Sequence, residues 1–190
     1  MDKEKALIEK CQSGQVEAFE ELILGYEKKA YNIAYKIVRN EQDAMDASQE
    51  AFIKVYKSIH NFKFQSSFST WLYRIVMNAA LDMQRKNKNK TLSLNEMYDD
   101  GKEKIELVDT NDTPEEYLER KISKEIVIKG IQQLEEDHKT AIILRDVEGF
   151  KYNEIAEILS CSTGTVKSRI SRGRLKLKEW IKMQGIISKV

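Results

Sequence analysis

Apolar residues recur every three or four positions along most of the chain, and no long stretch alternates in the manner of a β-strand. This spacing predicts an all-α protein. Asn40 is placed to cap a helix that follows it, and the composition of His60–Ser67 is typical of a loop. The first half contains four predicted helices, around Ala6–Cys11 and over Phe19–Ile37, Glu41–Ile59 and Phe68–Lys86.

The periodicity fades between Asn87 and Thr113, where Asn, Lys, Asp and Glu dominate. A stretch this long without periodicity is unusual inside one compact domain, and it cannot bury enough apolar surface to offset its ordering entropy. We therefore expect two small helical domains, residues 1–88 and 114–190, joined by a flexible linker over 89–113. Residues 91–120 hold 10 acidic and 3 basic side chains, so the linker is acidic.

The helical spacing resumes at Thr113–Glu116, a capping box with proline at the first helical position. The last two helices of the chain are separated by a turn of three residues, which is the spacing of a helix-turn-helix motif. The second half contains four predicted helices, over Pro114–Leu134, Glu136–Val147, Tyr152–Leu159 and Thr163–Met183.

The helix-turn-helix candidate has the features that a DNA-binding motif needs. Ala156 is small enough for the second helix to cross closely over the first, and Ser162 is placed to cap that second helix. A basic run alone would equally suit a solvated helix, but the turn, the cap and the small residue together favour a helix for the major groove. The inner contacts are assigned to Ile155, Leu159, Val166 and Ile170. The exposed positions are assigned to Lys167, Ser168, Ser171, Arg172, Lys176 and Lys178.

The charge is small in total but unevenly distributed. The net charge is +1, yet the stretch Thr163–Val190 holds 8 basic residues and one acid. A basic C-terminal segment that follows an acidic linker indicates that this segment binds nucleic acid.

The fourth helix has an uninterrupted apolar stripe from Phe68 to Met83, which predicts a side that faces the core. Its other side combines aromatic, cationic and amide groups, which suit the unstacked bases of a single strand. A second packing face against another helix is the alternative. The residues expected to be partly exposed there are Tyr73, Arg74, Met77, Asn78 and Leu81.

The third helix has an acidic side. Asp43, Asp46 and Glu50 lie on it with Gln49 beside them, while the opposite side is apolar. An acidic side is explained by solvation as readily as by a partner, so the charge pattern alone leaves both interpretations open.

Several classes of function find no support in the sequence. Cys11 and Cys161 belong to no CxxC pair, and His60 and His138 have no Cys or His at metal-ligand spacing. No metal, cofactor or small-molecule substrate is expected, and without a nucleophile–base pair or a phosphate-binding glycine loop no enzyme is expected. Two unpaired thiols, with no apolar signal core and no run long enough to span a bilayer, indicate a cytoplasmic protein.

Three motifs occur in a fixed order along the chain: Asp43–Phe52, then Phe68–Ile75 with Asn78 and Asp82, then Gly164–Arg169 with Arg172 and Arg174. The first two resemble region 2 of the extracytoplasmic-function (ECF) sigma factors of the sigma-70 family, and the third resembles their region 4. The resemblance covers nearly the whole chain except the linker. It departs from the family at Met45, where an acidic residue is common, and at Ala47, where a leucine is common.

The resemblance implies a protein that binds core RNA polymerase and directs it to promoters. It implies contacts with the β′ clamp helices and the β flap of the polymerase. It also implies an anti-sigma protein, often a membrane-bound one. Polymerase contacts are implied for Asp43, Asp46, Gln49, Glu50 and Ile53. Contacts to flipped bases of the −10 element are implied for Asn61, Phe64, Tyr73, Arg74 and Asn78. Contacts to the −35 duplex are implied for Arg145, Thr165, Lys167, Ser168, Arg169, Ser171, Arg172 and Lys176.

Two other hypotheses explain part of the sequence. A stand-alone helix-turn-helix regulator would use the basic end but would leave the Trp71 motif and the acidic helix without a role. A purely structural helical adaptor would leave the basic end without one.

Overall fold

The structure is a computed structural model that describes residues 3–91 and 114–184, with side chains over 3–88 and 122–184. The chain divides into two compact units, one built on its first half and the other on most of its second half. The described residues form helices and turns without any strand, which confirms the all-α prediction. The predicted flexible linker lies mainly within residues 92–113, which are outside the described residues. The predicted helix cap at Thr113 is also outside them.

Five helices and one 3-10 turn make up the N-terminal unit over its described residues, 3–91. The predicted single helix over Phe19–Ile37 is wrong, because the chain breaks into two helices at Gly25 and Tyr26. Glycine is a poor helix former, so a break there costs little. The elements are α1 (Lys3–Gln12), α2 (Val16–Leu24), α3 (Glu27–Val38), α4 (Glu41–Ser58), the 3-10 turn Ile59–Asn61 and α5 (Phe68–Thr91).

Alanine-rich faces let α3, α4 and α5 pack closely in this unit. Arg39 adopts a left-handed conformation that ends α3, and the Asn40 side chain accepts a hydrogen bond from the Asp43 amide, which confirms the predicted cap. The fully buried side chains from the three helices include Ala30, Ile33, Ala34, Ile37, Ala44, Ala47, Ala51, Val55, Leu72, Val76 and Ala80.

Helix α5 runs five residues past the predicted end at Lys86. Two side chains near that end are bound to the neighbouring helices. Gln84 Nε2 donates to the carbonyl of Ile37 at 2.7 Å, and Asn87 Nδ2 donates to Asp43 Oδ2 at 2.7 Å. These tertiary bonds hold a segment whose own composition, rich in Asn and Lys, gives only a weak helical signal.

Four helices make up the described part of the C-terminal unit, close to their predicted bounds. Two glycines in them leave no room for a larger side chain. A Cβ on Gly130 would lie 2.5 Å from Leu177, and one on Gly173 would lie 2.9 Å from Ile142. The helices are α6 (Pro114–Gln132), α7 (Glu136–Ile142, continued by the π-helical turn Ile143–Val147), α8 (Tyr152–Ile158) and α9 (Thr163–Met183).

None of the helices described here is both long enough and apolar enough to cross a lipid bilayer.

Candidate nucleic-acid interface

Helices α8 and α9 form the predicted helix-turn-helix motif. The Ser162 side chain accepts a hydrogen bond from the Thr165 amide at 3.0 Å, so the predicted cap of α9 is confirmed. Ser160 takes a positive φ of 50°, and the Cys161 amide returns to the Ala156 carbonyl at 2.9 Å, which closes the turn. Of the predicted inner contacts, Ile155, Val166 and Ile170 are buried, while Leu159 is half-buried.

The face of α9 opposite its buried stripe carries basic and hydroxyl groups. All six positions predicted to be exposed on this helix are exposed. Among the residues with described side chains, Lys167, Arg172 and Lys178 have no acidic partner. Ser168 Oγ donates to the Thr165 carbonyl at 2.9 Å, and that hydroxyl remains at the surface. This free basic face is available to a polyanion.

Three other cations of α9 lie on the flanks of its buried stripe and are bound to acids from the segment around α7. Arg174 makes a bidentate pair with Asp146, at 2.5 and 3.0 Å, which raises the pKa of the guanidinium. The hydrogen bond from Lys176, at 2.6 Å, lowers the pKa of the Glu135 carboxyl. The third pair, Arg169 to Asp137, has its nitrogen and oxygen 2.5 Å apart. These pairs fix α9 against its own domain.

Three residues with implied −35 contacts are engaged within the protein, namely Lys176 in its pair with Glu135 and two arginines. Arg145 Nη1 donates to the Phe150 carbonyl at 2.8 Å, and the guanidinium lies over the Tyr152 ring at 4.8 Å, so it holds the connection into α8. Arg169 has a side chain only 24% exposed and directed to Asp137. Both arginines therefore position the motif, whereas Lys167 and Arg172 point away from it.

The side of α5 opposite its apolar stripe is exposed at only some of the predicted positions. Asn78 is exposed and Arg74 is half-exposed, as predicted. The predictions for Tyr73 and Met77 are wrong: they are 4% and 0% exposed. Tyr73 packs against Tyr26, with ring centroids 6.1 Å apart, because α3 covers that side of α5. Tyr73 is thus part of the core and offers no exposed ring to a base.

The loop before α5 presents an aromatic side chain beside an amide. Asn61 is exposed, and Phe64 is 42% exposed with a φ of 56°. The buried Phe62 ring supports this surface from below, 5.0 Å from Phe64 and 5.1 Å from Trp71. The arrangement places one exposed ring and one exposed amide next to the start of α5, which is a combination suited to a stacked and hydrogen-bonded base.

The exposed face of α4 is apolar at its centre and acidic at its edge. Ile53 is 54% exposed, and Gln49 and Asp46 are exposed beside it. Glu50 pairs with Lys54 at 2.8 Å, and this hydrogen bond lowers the pKa of the carboxyl. Asp43 is half-buried and accepts from Asn87.

Two members of this α4 face were missed from the sequence. Met45 and Tyr56 are 48% and 46% exposed, and helical periodicity aligns them with Gln49 and Ile53. The sequence signal that could have identified them is the presence of apolar residues on the otherwise polar side of the helix. Apolar side chains at the centre of a face with charges around them are typical of protein–protein interfaces.

Comparisons with known proteins agree with these two units. The family model for sigma-70 region 2 matches residues 22–90, and that for sigma-70 region 4 matches residues 124–177. The chain is 41% identical over 177 residues to the ECF RNA polymerase sigma-E factor of Haemophilus influenzae, covering 90% of this chain and 91% of that protein. It is 35% identical over 178 residues to the RNA polymerase sigma-H factor of Pseudomonas aeruginosa, covering 91% of each.

Two solved structures share the fold. The sigma factor RpoE from Bartonella quintana, in complex with the anti-sigma factor NepR, gives a TM-score of 0.67 at 24% identity, covering 88% of this chain and 98% of that one. CnrH, in complex with the cytosolic domain of CnrY, gives 0.69 at 22% identity, covering 96% and 99%. With both family models matched in order and relatives similar over nine-tenths of their length, the chain belongs to the ECF sigma factors of the sigma-70 family, alternative sigma factors that direct transcription initiation.

Proposed function

We propose that the two units divide promoter recognition between them. The N-terminal unit, residues 1–88, docks on the β′ clamp helices of core RNA polymerase and captures unstacked bases of the −10 element. The C-terminal unit, residues 114–190, reads the −35 element as duplex and contacts the β flap. Residues 92–113, which follow α5, act as the linker that lets polymerase set the spacing between the two.

The free basic face of α9 is the observation that carries this proposal. Its early residues Lys167 and Ser168 are placed where a recognition helix reaches base edges, and Arg172 is placed one turn later, where it meets a phosphate. Thr165, Ser171 and Lys176 border the same surface. Because Arg169 and Arg174 are held by carboxylates, the phosphate contacts fall to the cations without such partners.

The loop over residues 61–67 and the exposed side of α5 supply the single-strand site. Phe64 offers a ring for stacking, and Asn61, Arg74 and Asn78 offer hydrogen bonds to base edges. Duplex DNA does not present its stacked faces, so this chemistry favours bases that have left the helix.

The α4 face supplies the polymerase contact. Ile53 and Met45 offer exposed apolar area at the centre that a partner can bury, and Asp46 and Glu50 offer charges at the edge that select a basic partner. A helical partner such as the clamp helices fits this elongated face, which runs along α4 from Met45 to Tyr56.

An anti-sigma protein is proposed as a further partner. The two solved sigma factors that share the fold are named as complexes, one with an anti-sigma factor and one with the cytosolic domain of CnrY. We propose that this chain is held in the same general way by an anti-sigma protein, and that it acts in the cytoplasm as a non-catalytic initiation factor.

The experiment compares open-complex formation on two templates, one fully paired and one already unpaired across the −10 region, both carrying a promoter selected by the holoenzyme from genomic fragments. Asn78→Ala should be impaired on the paired template and partly rescued by the pre-opened one. Lys167→Ala and Ser168→Ala should be impaired on both, because duplex recognition precedes opening. A specific base contact is worth about 1–3 kcal/mol. Equal rescue of all three variants, or of none, would refute the division between the two units.

A further inference from the structure

Helix α1 lies before the residues matched by the region 2 model, yet it is bonded to the loop that leads into α5. The Gln12 side-chain amide donates to the Ile59 carbonyl at 3.1 Å and to the Phe62 carbonyl at 2.8 Å. These two carbonyls bracket the 3-10 turn Ile59–Asn61. The turn has its own backbone bond, from the Phe62 amide to the Ile59 carbonyl at 3.0 Å, and the Gln12 amide links its two ends from a position about fifty residues earlier in the chain.

The same face of α1 also contacts the exposed ring of the loop. Lys5 Nζ lies 5.7 Å from the centroid of the Phe64 ring. Lys5 and Gln12 are seven residues apart, two helical turns, so they project from one side of α1. Ile8 and Cys11, which lie between them in the sequence, are buried, and this fixes the helix against the unit.

The loop conformation needs such support. Phe64 has a φ of 56°, in the left-handed region that disfavours a residue with a large side chain. A residue persists in this region only when its surroundings hold it there. The Phe62 ring anchors one side of the loop among Phe68 and Trp71, and the bonds from α1 hold the backbone on either side of the turn.

We propose that Gln12 is a positioning residue for the promoter-reading loop: its two hydrogen bonds hold residues 59–64 in the shape that presents Asn61 and Phe64 to an unstacked base. The inference rests on the base-capturing role proposed above for this loop. A loop ordered before binding does not lose conformational entropy when the base arrives, so its order raises affinity without adding a contact.

The decisive variant is Gln12→Glu. It keeps the length of the side chain but replaces the donating amide with a carboxylate that faces two carbonyl oxygens, so both hydrogen bonds are lost. Gln15→Glu is the matched control, since Gln15 is exposed at the start of α2 and its side chain makes no capping bond. Gln12→Lys retains donor hydrogens and serves as the rescue variant, and Gln12→Leu removes the donor without adding charge.

Binding is measured with each full-length variant assembled on core polymerase, using a fork template whose −10 non-template strand is single-stranded. Gln12→Glu and Gln12→Leu should bind this template roughly tenfold more weakly than the wild type, the loss expected for about two ordinary hydrogen bonds. Gln15→Glu should bind like the wild type, and Gln12→Lys should recover most of the loss. Affinity for core polymerase and helicity should not change.

A double-mutant cycle with Phe64→Ala separates positioning from general stability. If Gln12 acts through the loop, Gln12→Glu should cause little further loss once the Phe64 ring is gone. Losses that simply add, or a Gln12→Glu variant that binds the fork like Gln15→Glu, would overturn the positioning role. Wild-type binding by Phe64→Ala alone would instead overturn the base-capturing role of the loop, on which the inference rests.

Discussion

Two arginines of α9, two residues apart, provide a direct test of which cations meet DNA. Arg172 is exposed and has no acidic partner among the residues with described side chains, whereas Arg174 is held by Asp146 through two hydrogen bonds. The same substitution, arginine to alanine, should therefore have different consequences at the two positions. Arg172→Ala should weaken DNA binding, and Arg174→Ala should weaken mainly the fold.

The magnitudes follow from counterion release and from the exposure of the ion pair. One phosphate contact contributes about −0.9 to the slope of log K against log salt. Without that contact, the drop in the binding constant K between 50 and 200 mM salt should be smaller by a factor of about 3.5. Arg172→Ala should flatten the slope by about that one unit and weaken all promoter sequences alike. The side chains of Arg174 and Asp146 are 54% and 33% exposed, so their pair stabilises the domain by only about 0.5–1 kcal/mol.

The assay is binding of the holoenzyme to a promoter fragment at several salt concentrations, together with thermal unfolding of the free protein. We expect a reduced slope with unchanged melting for Arg172→Ala, and a lower melting temperature with an unchanged slope for Arg174→Ala. If Arg174→Ala reduced the slope as far as Arg172→Ala does, the Arg174–Asp146 ion pair would have to open so that Arg174 contacts DNA. An unchanged slope for Arg172→Ala would show that the DNA lies elsewhere on α9.

Two further outcomes follow from the apolar centre of α4 and from the close approach of α7 to Gly173 of α9. Ile53→Asp should abolish capture of core polymerase in a pull-down without loss of helicity, while Leu24→Asp, at an exposed leucine of α2, should not; equal capture by both would place the docking face elsewhere. Gly173→Ala should lower the unfolding free energy by about 1–3 kcal/mol, because its Cβ would lie 2.9 Å from Ile142, whereas Gly25→Ala meets nothing within 4 Å. Matching denaturant midpoints for the two glycine variants would contradict this reasoning.

Local signals were sufficient wherever one segment decides its own structure. The caps at Asn40 and Ser162 were predictable because a capping side chain binds an amide three residues away. The exposed positions of α9 were predictable because a single helix with a strong apolar stripe leaves only one other side.

Local signals were insufficient where a second helix decides the outcome. Periodicity alone continued one helix through Gly25, although the chain turns there and starts α3 at Glu27. The same limit applies to the far end of α5, since its last turns are bound by side chains to residues more than forty positions earlier.

The sequence by itself determined the helical class, the helix-turn-helix motif and the family, because periodicity, capping residues and motif order are properties of the chain read in one dimension. Only the tertiary structure decided which polar and aromatic groups reach the surface. Tyr73 looks exposed on a helical projection but is covered by α3, and Arg169 looks like a DNA contact but is bound to Asp137. Exposure and ion pairing depend on what a neighbouring helix brings within a few ångströms, and the spacing of residues along one helix carries no record of that neighbour.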